Sequence, residues 1–174
     1  MHPVERNGAQ LAGGALTSVT SAVSIRGNME EPVTLPPDRR SALLANCPLF
    51  RGVGADGLAA LARAATEVSF PVNHVIAREG EIGTGFFVVV DGSVRVVKDG
   101  NVLARLGPGD FFGELSVLDG RPRNARVAAE TPTTCLAIAT WDFEAALVAN
   151  PTVMLAILRG VATRLREATE ALRH

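Results

Sequence analysis

The chain has 174 residues, which is enough for one ordinary domain with its own hydrophobic core. Hydrophobic residues make up 47% of it and charged residues 20%, a composition that excludes a disordered chain. The 17 basic and 18 acidic residues give a net charge of −1, so no nucleic-acid partner is expected, because proteins that bind phosphate backbones are usually more basic.

Residues 1–38 are predicted to form a flexible N-terminal tail, because small and polar residues follow one another there without a helical or strand period. The apolar stretch 11–25 is diluted by glycine, serine and threonine, so it does not fit a secretory signal. No apolar run reaches the roughly 18 to 20 residues that a membrane span requires. We therefore expect a cytoplasmic protein without membrane contact. Met29 leaves a later start of translation open.

Two short helices are predicted at residues 41–46 and 56–65, followed by strands and turns from 66 to 139. In that region Asp99-Gly100 is a two-residue hairpin signal, and residues 107–110 form a second turn. Short strands with turns every ~8 to 12 residues are typical of a jelly-roll barrel. The predicted fold class is mainly β with flanking α. It is an eight-stranded jelly-roll (double-stranded β-helix) barrel with N-terminal helices and a long C-terminal helix.

The C-terminal part is predicted to be helical. One helix covers residues 140–149, with Trp141 and Phe143 as its packing anchors, and Asn150-Pro151 supplies an N-cap and first residue for a second helix. Apolar residues repeat along this last helix at helical spacing: Met154, Ile157, Leu158, Val161, Leu165, Ala168 and Leu172. The barrel can cover part of this stripe and a second copy of the helix the rest, which favours a homodimer. An unidentified effector protein is the alternative partner.

Residues that many enzymes need are scarce in this sequence. His74 is the one histidine away from the chain termini, and Cys47 and Cys135 lie far apart in apolar surroundings. We expect both cysteines to be buried free thiols, and we expect no metal site and no cofactor. A cupin-type enzyme would share the barrel shape but needs a histidine-rich metal centre. The chain is therefore predicted to be non-catalytic.

The segment from Gly113 to Arg123 carries most of the functional information. A short helix is predicted to begin at Gly113, and the first amides of a helix have no partner within it and favour negative charge. An anion can dock on the amides of Leu115 and Ser116, and Gly113 lets it approach the backbone. Glu114 is placed to accept a hydrogen bond from a hydroxyl, and Arg123 can pair with anionic oxygens. A sugar phosphate carries both groups.

The segment 112–125 resembles the phosphate-binding cassette of the cyclic nucleotide-binding domain family. Gly80, Gly83, the strand end at 87–92 and the motif Gly107-x-Gly109-Asp110-Phe111 also match, so the resemblance covers about residues 41–170. The family includes catabolite-activator-like regulators, protein kinase A regulatory subunits and gated channels. The resemblance implies a cyclic nucleotide-binding domain over residues 39–174. It would be a regulatory sensor in signal transduction that acts through movement of its C-terminal helices.

The resemblance also implies roles for single residues. It assigns Glu114 to the ribose 2′-hydroxyl of a 3′,5′-cyclic nucleotide and Arg123 to the cyclic phosphate. The other ligand-binding positions that it implies are Gly113, Leu115, Ser116 and Asn124. The positions that match the floor of the sugar and base site are Val96, Leu103 and Ala104. Threonine after the arginine is linked in the family to cGMP, so Asn124 at that position favours cAMP, with cGMP as the alternative.

Two other interpretations stay open. One is an interaction module that keeps the cassette but has a silent pocket. The other is a transcription regulator of the catabolite-activator type, which would need a DNA-binding domain after the long helix. The sequence ends at His174, so we expect a stand-alone sensor that lacks this domain.

Overall fold

Two four-stranded antiparallel sheets form the centre of the computed structural model, which describes residues 34–173. The strands of the first sheet, in spatial order, are β1 (Thr66–Phe70), β8 (Thr133–Ala139), β3 (Gly85–Asp91) and β6 (Phe111–Phe112). Those of the second are β2 (Val75–Ala77), β7 (Arg126–Ala129), β4 (Val94–Lys98) and β5 (Asn101–Leu106). These eight strands confirm the predicted fold class. The predictions made for residues 1–33, including the 11–25 stretch, lie outside the described residues.

The turns that connect the strands follow their local sequence. Asp99 and Gly100 have positive φ angles of 50° and 78°, which is the backbone of a type I′ turn and joins β4 to β5 as predicted. Between β5 and β6, the amide of Gly107 donates to the carboxylate of Asp110 at 2.8 Å, and the amide of Asp110 donates back to the Gly107 carbonyl at 3.0 Å. Both turns connect strands that line the cavity at the start of α3 (Glu114–Asp119).

Helices precede and follow the strands in sequence, and one short helix, α3, lies between β6 and β7. The helices are α1 (Pro37–Asn46), a 3-10 turn (Pro48–Phe50), α2 (Ala55–Ala64), α3 (Glu114–Asp119), α4 (Thr140–Ala149) and α5 (Pro151–Ala171). Helix α1 begins earlier than the predicted residue 41, so the predicted end of the tail at residue 38 falls inside it. The reason is Pro37, because proline is well suited to the first position of a helix, where no N–H is needed.

Three aromatic rings join the helices to the first sheet. Phe50 packs edge-on against Phe86 with ring centroids 5.5 Å apart, and Phe143 of α4 stacks on Phe86 at 5.8 Å. Burial of such a side chain contributes about 1.5–3 kcal/mol, so Phe143 anchors α4 as predicted. The same prediction was wrong for Trp141, which is 66% exposed. Residues two positions apart lie about 200° apart around a helix, so both cannot face the core.

Both cysteines are buried free thiols, as predicted, and they lie in different hydrophobic clusters. Burial raises the pKa of Cys135 to about 12 and that of Cys47 to about 11. The thiolate is the reactive form of cysteine, so at neutral pH both side chains stay protonated and unreactive in the native protein.

Helices α4 and α5 meet at Asn150 with a bend of 114°. Asn150 is the N-cap residue of α5, as predicted, but its side chain forms no capping hydrogen bond with that helix. Its side-chain amide donates to the carbonyl of Ala146 in α4, at 3.0 Å, so it ties the end of one helix to the start of the next. No single helix within residues 34–173 is long and apolar enough to cross a membrane, and α4 and α5 meet those criteria only as this bent pair.

The two halves of α5 have different surroundings. In the first half Val153 and Ile157 are buried against the core, while Leu158 beside them is exposed. From residue 162 onwards every described residue of the helix is exposed, including Leu165 of the predicted stripe. Within the predicted stripe, Ile157 is buried and Val161 partly buried in the core cluster that includes the 3-10 turn and α4, whereas Met154, Leu158 and the later members are exposed.

Candidate functional site

A cavity of about 240 Å³ lies at the start of α3. It is bordered by strands of both sheets and by α5. The predicted site residues that line it are Val96, Ala104, Gly113, Glu114, Leu115, Ser116, Arg123 and Asn124. The other lining residues are Ala77, Leu106, Phe111, Phe112, Ala125, Val127 and Arg164. The structure therefore brings together eight of the nine positions that the sequence singled out.

Leu103 is the predicted position that does not line the cavity. Its side chain is 61% exposed. The pairing of β4 with β5 slips at this point, because Val96 pairs with Ala104 while Val97 pairs with Val102, which leaves Leu103 as the extra residue of a bulge. A bulge changes which side chains face inward, and here Ala104 faces the cavity.

The first turn of α3 faces the cavity because of Gly113. This residue has a φ of 91°, a backbone conformation that side chains other than glycine rarely adopt, and it turns the chain sharply into the helix. The amides that follow, including those of Leu115 and Ser116, belong to the first turn, where a helix has no internal acceptors for them. Ser116 is buried and Leu115 half exposed at the cavity rim.

Arg123 is a buried cation without a complete set of partners. Its Nη2 donates to the carbonyl of Gly85 at 2.7 Å, whereas its buried Nη1 has no hydrogen-bond partner among the described residues. Nor does any carboxylate within residues 34–173 form an ion pair with it. Burial lowers the pKa of the guanidinium from its ordinary value, and the charge of Glu114 partly opposes this shift.

Glu114 has a partner that the sequence analysis did not identify. Its carboxylate, 7% exposed, accepts a hydrogen bond from Nη1 of Arg164 in α5 at 2.5 Å. The Arg164 guanidinium also lies over the ring of Phe111, 4.9 Å from its centroid. The signal that could have found it is helical spacing, because Arg164 lies seven residues after the buried Ile157 and so on the same face of α5.

The charges around the cavity leave one net positive charge, because two guanidinium groups face a single carboxylate. The unpartnered Nη1 of Arg123 offers a donor to an anionic oxygen, and Glu114 offers an acceptor to a hydroxyl. A monoanion that also carries a hydroxyl satisfies both. No group of three His, Cys, Asp or Glu side chains in the part of the chain that the structure describes is suited to hold a metal ion.

The sequence model of the cyclic nucleotide-binding domain family matches residues 67–150, which include the first turn of α3 and Arg123. The chain is 38% identical over 115 residues to a cyclic nucleotide-gated potassium channel from Mesorhizobium japonicum, covering 66% of this chain and 32% of the channel. It is 31% identical over 135 residues to a CRP-like cAMP-activated global transcriptional regulator from Mycobacterium tuberculosis, covering 75% of this chain and 60% of the regulator. The chain thus spans about a third to three fifths of these relatives' length.

A solved structure supports the same grouping. The N-terminal domain of a transcriptional regulator from Streptomyces coelicolor superposes with a TM-score of 0.65 at 35% sequence identity. The alignment covers 75% of this chain and 94% of that domain. The similarity therefore extends over nearly the whole of the other domain and not over an isolated motif.

The free Nη1 leads to a stability prediction. Replacing one partner of a satisfied buried ion pair costs about 3–5 kcal/mol, but Arg123 already lacks such a partner. We expect Arg123→Met to leave the free energy of unfolding of the ligand-free protein unchanged or to raise it, measured by urea denaturation. Arg40→Met is the control and should lower it, because Arg40 donates to the carbonyls of Leu35 and Ala65 at 2.9 and 2.8 Å. A large loss of stability in Arg123→Met would identify Arg123 as a structural residue.

Proposed function

Because the chain belongs to the cyclic nucleotide-binding domain family, we propose that its cavity binds a 3′,5′-cyclic nucleotide and that the protein is a non-catalytic regulatory sensor. The binding unit in this proposal is the predicted domain over residues 39–174, extended by the start of α1. The effector that receives the signal is a separate partner or a second copy of the chain.

The observation that carries the proposal is the unsatisfied Nη1 of Arg123. A buried guanidinium with a free donor is costly unless an anion completes its hydrogen bonds. The cyclic phosphate is a diester with one negative charge, which equals the net positive charge of the cavity. An anion of higher charge, such as inorganic phosphate, would exceed this net charge.

The ribose has its acceptor beside the phosphate site in this proposal. Glu114 accepts the 2′-hydroxyl, and the amides of Leu115 and Ser116 complete the phosphate shell at the point where Gly113 allows a close approach. Val96 and Ala104 supply an apolar floor for the sugar and base. Leu103 is left out of the floor because it lies on the outside of the bulge.

We infer that cAMP is preferred to cGMP. Asn124 follows the arginine at the rim of the cavity, in the position where the family resemblance links threonine to cGMP. The Mycobacterium tuberculosis relative is named for activation by cAMP, which supports the same choice. The preference rests on one rim residue, so both nucleotides belong in any binding test.

The signal is proposed to pass through α5. Arg164 of α5 contacts Oε1 of Glu114, so in this proposal a ribose hydroxyl and α5 compete for the same carboxylate. The cavity of about 240 Å³ is bordered on the α5 side by Arg164, so we propose that a bound ligand displaces this helix. A ligand can bias two helix positions only by its difference in affinity for them, which is typically about 1–3 kcal/mol.

An apolar seam along α5 is the proposed contact with a partner, and we favour a homodimer. Six residues repeat along this helix with alternating spacings of four and three, which is the pattern of a coiled-coil seam: Met154, Leu158, Val161, Leu165, Ala168 and Leu172. In a symmetric dimer the same face of each copy supplies both sides of the interface.

The ligand proposal predicts a loss of affinity in Arg123→Ala. Removing one partner of a desolvated charge pair costs about 2–5 kcal/mol, so the variant should bind cAMP at least about thirtyfold more weakly than the wild type in isothermal titration calorimetry. Arg121→Ala is the matched control, because Arg121 is exposed two residues away and should leave the affinity unchanged. Equal binding by Arg123→Ala would refute the site.

A thermal-shift measurement with each nucleotide distinguishes a silent pocket from a sensor. A ligand at 100 times its dissociation constant adds about 2.7 kcal/mol of stability, so cAMP or cGMP should raise the melting temperature of the wild type. A protein whose melting temperature responds to neither nucleotide is an interaction module.

The competition for Glu114 predicts a change in the dynamics of α5. In ligand-free Arg164→Ala, the amides of residues 158–171 should exchange with deuterium faster than in the wild type, because the helix has lost its link to the barrel. Arg166→Ala is the control on the same helix, since Arg166 forms no ion pair within the described residues. Saturating cAMP should change the exchange of this segment in the wild type. If it does not, α5 does not carry the signal.

The dimer proposal predicts that a charge on the seam prevents self-association. Leu165→Glu should be monomeric in sedimentation equilibrium at concentrations where the wild type is dimeric. Its melting temperature should change little at low concentration, because Leu165 is exposed within one copy. Leu155→Glu is the control, since Leu155 is an exposed leucine of α5 outside the seam. A wild type that stays monomeric at all concentrations would leave an effector protein as the partner.

A further inference from the structure

We propose that Gly83 is a positioning residue for the anion site, a role that rests on the ligand function proposed above. Gly83 is buried in the loop between β2 and β3, residues 78–84, and it does not line the cavity. It lies directly behind two groups that do, the guanidinium of Arg123 and the side chain of Ser116. Its missing side chain is what allows both groups to stand where they are.

The space beside Gly83 is fully occupied. A Cβ added there would come within 2.8 Å of both Cζ and Nε of Arg123 and within 2.6 Å of the Cβ of Ser116. Contacts shorter than about 3 Å between such atoms do not persist, so something must move. The φ of Gly83 lies outside the left-handed region, so alanine fits the backbone at this position and only the contacts oppose it.

The loop itself is held and cannot easily withdraw. The amide of Gly80 donates to the carbonyl of Arg123 at 2.8 Å, and the amide of Arg123 donates to the carbonyl of Glu81 at 2.7 Å. On the other side, the amide of Thr140 at the start of α4 donates to the carbonyl of Thr84 at 3.0 Å. The loop is therefore fixed to the backbone of the arginine and to α4 on either side of the glycine.

The group that gives way is therefore the guanidinium. It is the end of a flexible side chain, and its only hydrogen bond among the described residues is the one from Nη2 to Gly85. A Cβ at position 83 would turn the guanidinium away from Gly85 and redirect the free Nη1. The Cβ of Ser116, which is fixed to the backbone of α3, must also shift, so some loss of stability is expected as well. Gly113 also lies against this guanidinium, but its φ of 91° would strain any replacement, so Gly83 gives the cleaner test.

The experiment is a double-mutant cycle of Gly83→Ala with Arg123→Ala, with cAMP titrated into each variant. When Arg123 is present, we expect Gly83→Ala to weaken cAMP binding by about tenfold or more, because residues in contact couple strongly. In the Arg123→Ala background the same change should cost less, because the guanidinium is absent and only the contact with the Cβ of Ser116 remains. Gly54→Ala is the matched control, since a Cβ there meets nothing within 4 Å and should not change the affinity.

A second measurement follows the arginine without ligand. The Nε–H resonance of Arg123, assigned by its loss in Arg123→Ala, should shift in Gly83→Ala, because the added Cβ would come within 2.8 Å of Nε and displace it. An unchanged resonance, or an equal loss of affinity in both backgrounds, would overturn the positioning role. If Gly83→Ala does not fold, recovery of folding in the double variant supports the contact with Arg123, and failure to recover refutes it.

The outcomes also separate this role from the proposed function. If the wild type and Gly54→Ala bind neither cAMP nor cGMP, the ligand assignment fails, and the binding role of Gly83 fails with it. If both bind and Gly83→Ala binds equally well, only the role of Gly83 fails.

Discussion

The buried charge of Arg123 is the constraint on which the site depends. Removing a guanidinium from water costs several kcal/mol unless its donors are satisfied, and one of them is not satisfied within the described residues. The fold tolerates this buried charge for two reasons. The carbonyl of Gly85 accepts one hydrogen bond from the guanidinium, and the nearby negative charge of Glu114 favours the protonated form of Arg123. A buried donor without an acceptor, in an otherwise well-packed barrel, is typical of a binding site. Stability is lost there in exchange for a side chain whose hydrogen bonds a ligand completes.

The carboxylate of Glu114 links this unsatisfied donor to the rest of the molecule. It faces the cavity, yet Arg164 of α5 already holds it. Because the Arg164 side chain is 51% exposed, solvent screens the pair, and such pairs are worth on the order of 1 kcal/mol or less. A contact of this strength can hold the helix in the absence of a ligand and still be displaced by a ligand hydroxyl. A fully buried pair would hold α5 too firmly to be displaced.

The sequence predicted those parts of the fold and site that depend on local chemistry. Asp99-Gly100 has the backbone preferences of one turn type, and the spacing from Gly113 to Arg123 is short enough to be matched as a motif. Prediction from the sequence failed where packing between distant segments determines the direction of a side chain. Leu103 is turned outward by a bulge in strand pairing, and Arg164 reaches Glu114 only because α5 folds back over the barrel. Neither effect has a signal within a few residues of the position concerned.

The two faces of α5 explain how an event in the cavity can be felt outside it. Arg164 lies on the face of the buried Ile157, whereas Leu158 and Leu165 lie on the exposed seam. At about 100° per residue these two faces are roughly a quarter of a turn apart, so they are neighbours on one rigid cylinder. A movement of α5 that takes Arg164 away from Glu114 also rotates or shifts the seam. Under the proposed function, the rigidity of this single helix is therefore what couples ligand binding to contact with a partner.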